Sequence, residues 1–471
     1  MRVEETSRHR VLALLAAALM LGGFLRFFRL GRADLTPDEA YSWAAAAAPT
    51  AAEVVRLQAK LNPGKLAVHD LALHAWIGAF GAGAAAMRAL SALLGTLEIV
   101  LVFWVAREIF LLGDNAKKPV AEIGDAASVD FPAAVSAVIF AVNLAAIKYA
   151  REARMYAVLM VMIVAQMGFL LRSRRRDTLA NFAAVSIFTA LAIATNFTAV
   201  FVIITEAVWL LLSTNAEGGI PWKPLGAIAV GMSAFVAITA GAIPTGVATL
   251  ENGTLNFIPN PGFWDVVSFF NYATLPYAVV LALALWGVLS GWSRQRPSVV
   301  FALLWMWGPV ILLYVLSLTI APLLVTRYAL SSFIPFLVLA ALGIWYCGPL
   351  RIQSCALALV VTLALVQFVS YVHRSPSMKW QNGVQRIRAY SPSAVIAVAP
   401  ARGANLIRYY LSTVRGYEVV DLSDRASCTK SGILVIWNGG LYGPYRKQAE
   451  DCSAAFPHLL FRQQDFAVLA R

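Results

Sequence analysis

The sequence predicts an all-α polytopic membrane protein with a small α/β domain at its C-terminal end. Three observations carry that reading. Of 471 residues, 60% are hydrophobic and only 13% charged, whereas soluble globular chains carry about a quarter charged residues. The apolar residues are gathered into runs of bilayer length rather than spread with a surface period. From about residue 373 those runs stop, and short apolar segments alternate with amphipathic ones.

A helix needs about 20 apolar residues to cross the hydrocarbon core, with a range of about 17–25. The runs 11–29, 88–111, 131–150, 155–171, 179–195, 197–213, 225–243, 266–289, 298–320, 328–346 and 352–371 meet that need, which gives about eleven spans. The first run follows Arg8, His9 and Arg10 and lacks a small-residue cleavage site after it, so it reads as an uncleaved span.

The stretch 66–81 holds His69, Asp70 and His74, and a charge at mid-bilayer costs about 3 kcal/mol on insertion scales. Charge placement decides its role. Arg172-Ser-Arg-Arg-Arg176 should be cytoplasmic, as should Arg8, Arg10, Lys117, Lys118, Lys223, Arg294, Arg296 and Arg351. All fall on one side only if 66–81 does not cross. It is therefore expected as an interfacial or re-entrant helix. The net charge of +13 then reflects topology and attraction to anionic membrane lipids rather than nucleic acid.

Residues 1–372 are thus expected as the transmembrane domain and 373–471 as a soluble extracytoplasmic α/β domain. In the latter, Val395–Val398 and Ile433–Ile436 read as buried strands, 402–412 and 444–456 as helices, and 459–469 as a final strand. Of four cysteines, Cys347 and Cys355 lie in or beside apolar runs. Cys428 and Cys452 lie in the soluble part, where an oxidising compartment would favour a bond between them. No metal-type cysteine spacing occurs.

This topology collects polar residues on one face. The first outer loop, 30–65, holds Thr36-Pro-Asp-Glu-Ala-Tyr-Ser42 and ends in Asn62-Pro-Gly-Lys65. The next outer turn reads Lys148-Tyr-Ala-Arg-Glu-Ala-Arg-Met-Tyr156. Later turns hold Thr195, Asn196 and the pair Arg327-Tyr328. Singly, each is an ordinary interfacial anchor. His69 and His74, five apart on a helix, make poor metal ligands. Together, two acidic sites, a lysine and several arginines at one depth suit an anionic head group on a lipid tail. Sugar transfer from a lipid phosphate needs a base for the acceptor hydroxyl and cations for the charge growing on the leaving phosphate.

At these residues the chain resembles the GT-C glycosyltransferases, especially the bacterial branch similar to protein O-mannosyltransferases and the lipid A aminoarabinose transferase. Thr36-Pro-Asp-Glu-Ala-Tyr-Ser42 is similar to the first-loop acidic motif. Met87-Arg-Ala-Leu-Ser-Ala-Leu-Leu-Gly95 resembles the segment Arg-Leu-Pro-Ser-Ala-Leu-x-Gly. Tyr149-Ala-Arg-Glu-Ala-Arg-Met-Tyr156 resembles Tyr-Ser-Gln-Glu-Ala-Arg-Met-Tyr, and Arg327-Tyr328 with Pro335 resembles a slightly stretched Arg-Tyr-x-x-x-Pro. The chain departs at Asn62-Pro-Gly64, where the family often has His-Pro-Pro, and at Asn196-Phe197, where it often has His-Tyr.

The resemblance implies a polyprenyl-phosphate sugar donor and an inverting transfer to a lipid, glycan or protein hydroxyl on the outer face of the cell (inner) membrane. It gives catalytic places to Asp38, Glu39 and Glu152, with Asp38 as base and Glu39 as its rival. It gives donor-phosphate contacts to Lys65, Arg154 and Arg327. Tyr41, Tyr156, Asn196 and Tyr328 are expected substrate contacts. No cofactor is required, and the sequence leaves a divalent metal open. The competing reading is a multispan transporter or flippase for a lipid-linked glycan, which would show internal repeats and polar groups near the midplane.

Overall fold

The computed structural model describes residues 2–62, 65–113, 126–213, 219–240, 259–271, 274–374, 379–422, 425–437, 444–463 and 466–471. Lys117 and Lys118, and Pro63-Gly64 of the first-loop motif, lie outside the described residues. The chain forms two compact units. The first comprises Met1–Phe28, Gln58–His69 and Arg88–His373; the second comprises Arg29–Leu57, Asp70–Met87 and Arg374–Arg471.

The helices in chain order begin with α1 (Arg2–Phe27), α2 (Pro37–Ala46), α3 (Ala51–Leu61), α4 (Val68–Phe80), α5 (Ala84–Phe110), α6 (Ala126–Val142) and α7 (Leu144–Ala150). They continue with α8 (Tyr156–Ser173), α9 (Leu179–Thr195), α10 (Ala199–Leu212), α11 (Trp222–Thr239) and α12 (Phe263–Val267). The last apolar ones are α13 (Thr274–Trp292), α14 (Arg296–Thr319), α15 (Phe333–Trp345) and α16 (Leu350–His373).

Among the described residues six helices are long and apolar enough to cross a bilayer: Arg8–Phe27, Ala84–Phe110, Tyr156–Ser173, Trp222–Thr239, Arg296–Thr319 and Leu350–His373. Leu179–Thr195, Ala199–Leu212, Pro276–Trp292 and Leu330–Trp345 are apolar but shorter. The single span expected at 131–150 is instead a pair, α6 and α7, bent by 59°. The break falls at Asn143, whose side-chain oxygen accepts the Ala146 N–H at 3.1 Å and starts α7 as a new helix. The run expected at 266–289 begins as a helix only at Thr274, after the short α12. At 66–81 the chain forms α4, 13 residues long, or about 20 Å at helical rise.

Within the first unit, helices meet through small residues and buried polar ties. Gly287 of α13 and Gly343 of α15 let the two backbones touch. A Cβ on Gly287 would overlap the Leu339 carbonyl oxygen, and one on Gly343 would overlap that of Leu283. Arg26 of α1 is fully buried and donates to the carbonyls of Gly22 and Ala141 at 3.0 and 2.9 Å. Glu98 of α5 is buried as well. Gln166 of α8 donates to Glu206 of α10 at 2.7 Å and to Thr189 of α9 at 3.4 Å, which links three helices. The basic run after α8 is anchored through an ion pair between Arg175 and Glu108.

The second unit is built on a five-stranded sheet of order β2-β1-β3-β5-β4. Its strands are β1 (Ala394–Ala399), β2 (Tyr417–Asp421), β3 (Ile433–Ile436), β4 (His458–Gln463) and β5 (Phe466–Ala470). β1 runs parallel to β2 and β3, with Ile396 opposite Val419 and Ile433. β5 runs antiparallel to β3 and β4. The final strand expected at 459–469 is therefore a hairpin, whose two arms lie on either side of the polar run Arg462-Gln-Gln-Asp465. The accompanying helices are α17 (Trp380–Tyr390), α18 (Ala404–Leu411), α19 (Arg425–Lys430) and α20 (Pro444–Ser453). Cys428 of α19 and Cys452 of α20 form a disulfide with an S–S distance of 2.00 Å.

Two predictions follow from the packing. Gly343→Leu forces a side chain into the α13 backbone, a misfit of about 1–3 kcal/mol; thermal unfolding in detergent should report a lower midpoint, while Gly226→Ala on α11, next to open space and in ordinary helical backbone, serves as the milder comparison. In the denatured, unreduced protein, thiol reagents should label Cys347 and Cys355 and spare Cys428 and Cys452. Labelling of all four without reductant would break the disulfide assignment.

Candidate active site

The first-loop motif folds as its residue types dictate. Thr36 takes an extended backbone and starts α2, with Pro37 in the first helical turn. The Thr36 hydroxyl accepts the Glu39 N–H at 3.2 Å, and the Glu39 carboxylate accepts the Thr36 N–H at 2.8 Å. This reciprocal pair is a capping box. Glu39 is fully buried by it, while the neighbouring Asp38 is exposed. The two adjacent carboxylates therefore differ: one closes a helix end, and the other faces out. Tyr41, one helical turn beyond Pro37, is partly buried. Burial raises its phenol pKa; Arg402 acts against that, Asp421 and Asp38 act with it, and Arg408 again against it.

These groups share the second unit with the C-terminal sheet, and the first loop is fastened there. The Asp34 carboxylate accepts the Gln381 N–H at 3.0 Å. The Leu35 N–H donates to the Tyr410 hydroxyl at 3.0 Å. Trp43 meets the Tyr409 ring edge-on, with centroids 5.2 Å apart. His74 of α4 contacts the Ala46 carbonyl through Nδ1 at 2.8 Å, so this histidine serves the packing of α2.

In the first unit, the second motif forms the end of α7 and the turn that follows. Arg151 Nη1 lies 2.8–3.0 Å from the carbonyls of Leu25, Arg26 and Phe28. Those are carbonyls that the last turn of α1 leaves without helical donors. Glu152 is half-buried, and its carbonyl accepts the Arg154 N–H at 2.8 Å, which tightens the turn. Arg154 itself is buried. Tyr149 and Tyr156 pack edge to face, with centroids 5.1 Å apart. Lys65 is half-buried, and its N–H donates to the Asn62 carbonyl at 3.3 Å. Asn196 is fully buried; its side-chain oxygen accepts the Thr198 N–H at 3.1 Å at the start of α10.

A cavity of about 590 Å³ opens in the first unit. Tyr149 and Arg327 line it together with Asn260, Asp265, Asn271 and Thr326, over an apolar side that includes Phe269 and Leu324. The Arg327 guanidinium also lies 5.5 Å from the centre of the Tyr328 ring. The structure thus brings Arg327 and Tyr149 to one cavity, whereas Lys65, Glu152, Arg154 and Tyr156 lie outside its described lining. Asp265, Asn260 and Asn271 were not singled out from the sequence. Their signal was Pro259-Asn-Pro-Gly262, a break ahead of an apolar run. Arg402 and Tyr410, beside the first loop, gave no signal at all. Among the described residues no group of three His, Cys, Asp or Glu is placed to hold a metal ion.

No protein-family model matches the chain, and no curated protein matches it either. Solved structures do match. The crystal structure of ArnT from Cupriavidus metallidurans bound to undecaprenyl phosphate aligns over 98% of both chains with a TM-score of 0.62 at 14% identity. The same protein in its apo state aligns over 99% of this chain and 98% of that one, with a TM-score of 0.62 at 13% identity. The chain has the fold of these structures along almost its whole length, as the motif resemblance to the lipid A aminoarabinose transferase branch implied.

The capping box separates the two carboxylates experimentally. Thr36→Ala should lower stability by roughly 1 kcal/mol, seen as a lower unfolding midpoint. Glu39→Gln keeps an oxygen for the Thr36 N–H and should leave the midpoint in place, as should Asp38→Asn.

Proposed function

We propose that the chain is a multi-pass membrane glycosyltransferase that moves a sugar from a polyprenyl-phosphate donor to a hydroxyl acceptor on the outer face of the membrane, with inversion. The observation that carries this reading is the alignment, over 98% of both chains, with a structure holding undecaprenyl phosphate. The cavity lined by Arg327 supports it with an anion-binding group above an apolar side. The disulfide supports an extracytoplasmic place for the C-terminal residues, since such bonds persist in oxidising compartments. This reading counts the bent pair and the shorter apolar helices as spans, for about eleven in all.

In this mechanism Asp38 removes the proton from the acceptor hydroxyl. The acceptor oxygen forms its bond to the anomeric carbon as the bond from that carbon to the phosphate oxygen breaks. The electron pair leaves on the polyprenyl phosphate, whose charge Lys65, Arg154 and Arg327 hold. The exposed position of Asp38 favours it over Glu39, whose carboxylate is committed to the cap. Glu152 orients the acceptor or balances Arg154, and Tyr41, Tyr156 and Tyr328 serve as substrate contacts.

The test uses a synthetic polyprenyl-phosphate sugar in nanodiscs, with donor binding measured apart from turnover. Asp38→Asn should bind donor normally and lose turnover by about 10²–10⁴-fold. Lys65→Ala should weaken both binding and turnover, because a charge-assisted contact to phosphate is lost. Glu39→Gln should turn over within a few-fold of the parent. A fully active Asp38→Asn would overturn the assignment of the base. Reporter fusions test the orientation: Arg174, Lys223 and Arg294 should report cytoplasm, and fusions after Asp38, Arg154 and residue 380 the opposite side.

A further inference from the structure

A general base must be held to within about half an ångström of its productive place, yet Asp38 stands on the first turn of a helix of only ten residues. Helices that short are marginal by themselves. What holds α2 is visible on either side of Asp38. Before it, Asp34 accepts the Gln381 N–H and the buried Leu35 donates its N–H to the Tyr410 hydroxyl. After it, Trp43 packs edge-on against the Tyr409 ring. Tyr409 in turn donates its hydroxyl to the Ala82 carbonyl at 3.1 Å, and its ring lies 5.0 Å from that of Tyr410.

The helix that carries these two tyrosines, α18, is itself rooted in the sheet. It leaves the carboxyl end of β1 through a turn in which the Trp437 indole N–H donates to the Pro400 carbonyl at 2.9 Å. Gly403 lies so close to that indole that a Cβ there would be 2.5 Å from Nε1. Arg408 of α18 donates to the Val419 carbonyl of β2 at 2.9 Å and reaches the Asp421 carboxylate at 3.3 Å. A continuous set of contacts therefore runs from strands β1 and β2 through α18 to the peptide that enters the Thr36 capping box. The carboxyl ends of parallel strands, where open α/β sheets ordinarily bind ligands, are here used to seat a loop.

We propose that the C-terminal α/β domain is part of the catalytic apparatus, with Tyr410 as a positioning residue that fixes the entry of α2 and thereby the place of Asp38. This rests on the reading of Asp38 as the base. Tyr410 touches neither donor nor acceptor in this account and acts only through Asp38.

The experiment is a double-mutant cycle in the full-length protein in nanodiscs, with turnover, donor binding and unfolding midpoint measured for each member. Tyr410→Phe removes one hydroxyl and keeps the ring. It should lower turnover by about tenfold, by slight misplacement of the base, with donor binding and midpoint unchanged. In the Asp38→Asn background the same substitution should cost nothing further, because a residue acting through Asp38 has nothing left to place. Equal losses in both backgrounds, or a lowered midpoint that accounts for the loss, would reduce Tyr410 to a structural part and overturn the proposal. Parental turnover by Tyr410→Phe beside an inactive Asp38→Asn would overturn the positioning role alone. Full turnover by Asp38→Asn would overturn both the positioning role and the assignment of the base.

Discussion

Hydrocarbon offers no hydrogen bonds, so each polar group that the first unit carries among its apolar helices needs a partner from the protein itself. Arg26 meets carbonyls of its own helix and of α6. Gln166 joins Glu206 and Thr189. Arg151 collects three carbonyls at the end of α1. That last contact has a wider consequence. It ties the turn bearing Glu152 and Arg154 to the point where the chain leaves the first helix, so the arginine proposed as a phosphate contact follows the same interaction that closes α1.

Each compact unit carries some of the groups in the proposed mechanism. The first unit offers the cavity with Arg327 and the buried Arg154, suited to an anionic head group. The second offers Asp38 on a helix whose entry and body are fastened to the C-terminal sheet. Within the first-loop motif the division is finer still. Thr36 and Glu39 form the helix start, and Asp38 is left facing outward. Two neighbouring acids of the same chemistry thus take different roles because only one of them can reach back to the N–H at the helix cap.

Much of this was legible in the sequence because it depends on local pattern. Bilayer-length apolar runs marked α1, α5, α8 and α14, and two cysteines in a polar domain marked a bond that the structure contains. The ordered motifs around Asp38, Arg154 and Arg327 pointed to the fold that the solved structures share. Other features had little local sign. The break at Asn143 is marked only by that one asparagine inside a run of bilayer length and depends on its side chain capping a new helix. The 458–470 hairpin reads as one strand only when the polar Arg462-Gln-Gln-Asp465 between its arms is passed over. The seating of Leu35 on Tyr410 joins residues 375 positions apart, and hydrophobic period carries no information at that range. Asp265 escaped notice because nothing local distinguishes a carboxylate lining a cavity from one that closes a helix, and Asp265 also accepts the Gly262 N–H at 2.7 Å.

The central claim is that the lipid-linked sugar is cleaved from its carrier and joined to an acceptor, rather than carried intact across the membrane. Purified protein in proteoliposomes, loaded with a synthetic polyprenyl-phosphate sugar and a hydroxyl acceptor, permits a direct decision by mass spectrometry of the extracted lipids. The account predicts that free polyprenyl phosphate appears in step with glycosylated acceptor, mole for mole. Donor that changes leaflet while keeping its sugar, with no free polyprenyl phosphate formed, would contradict it.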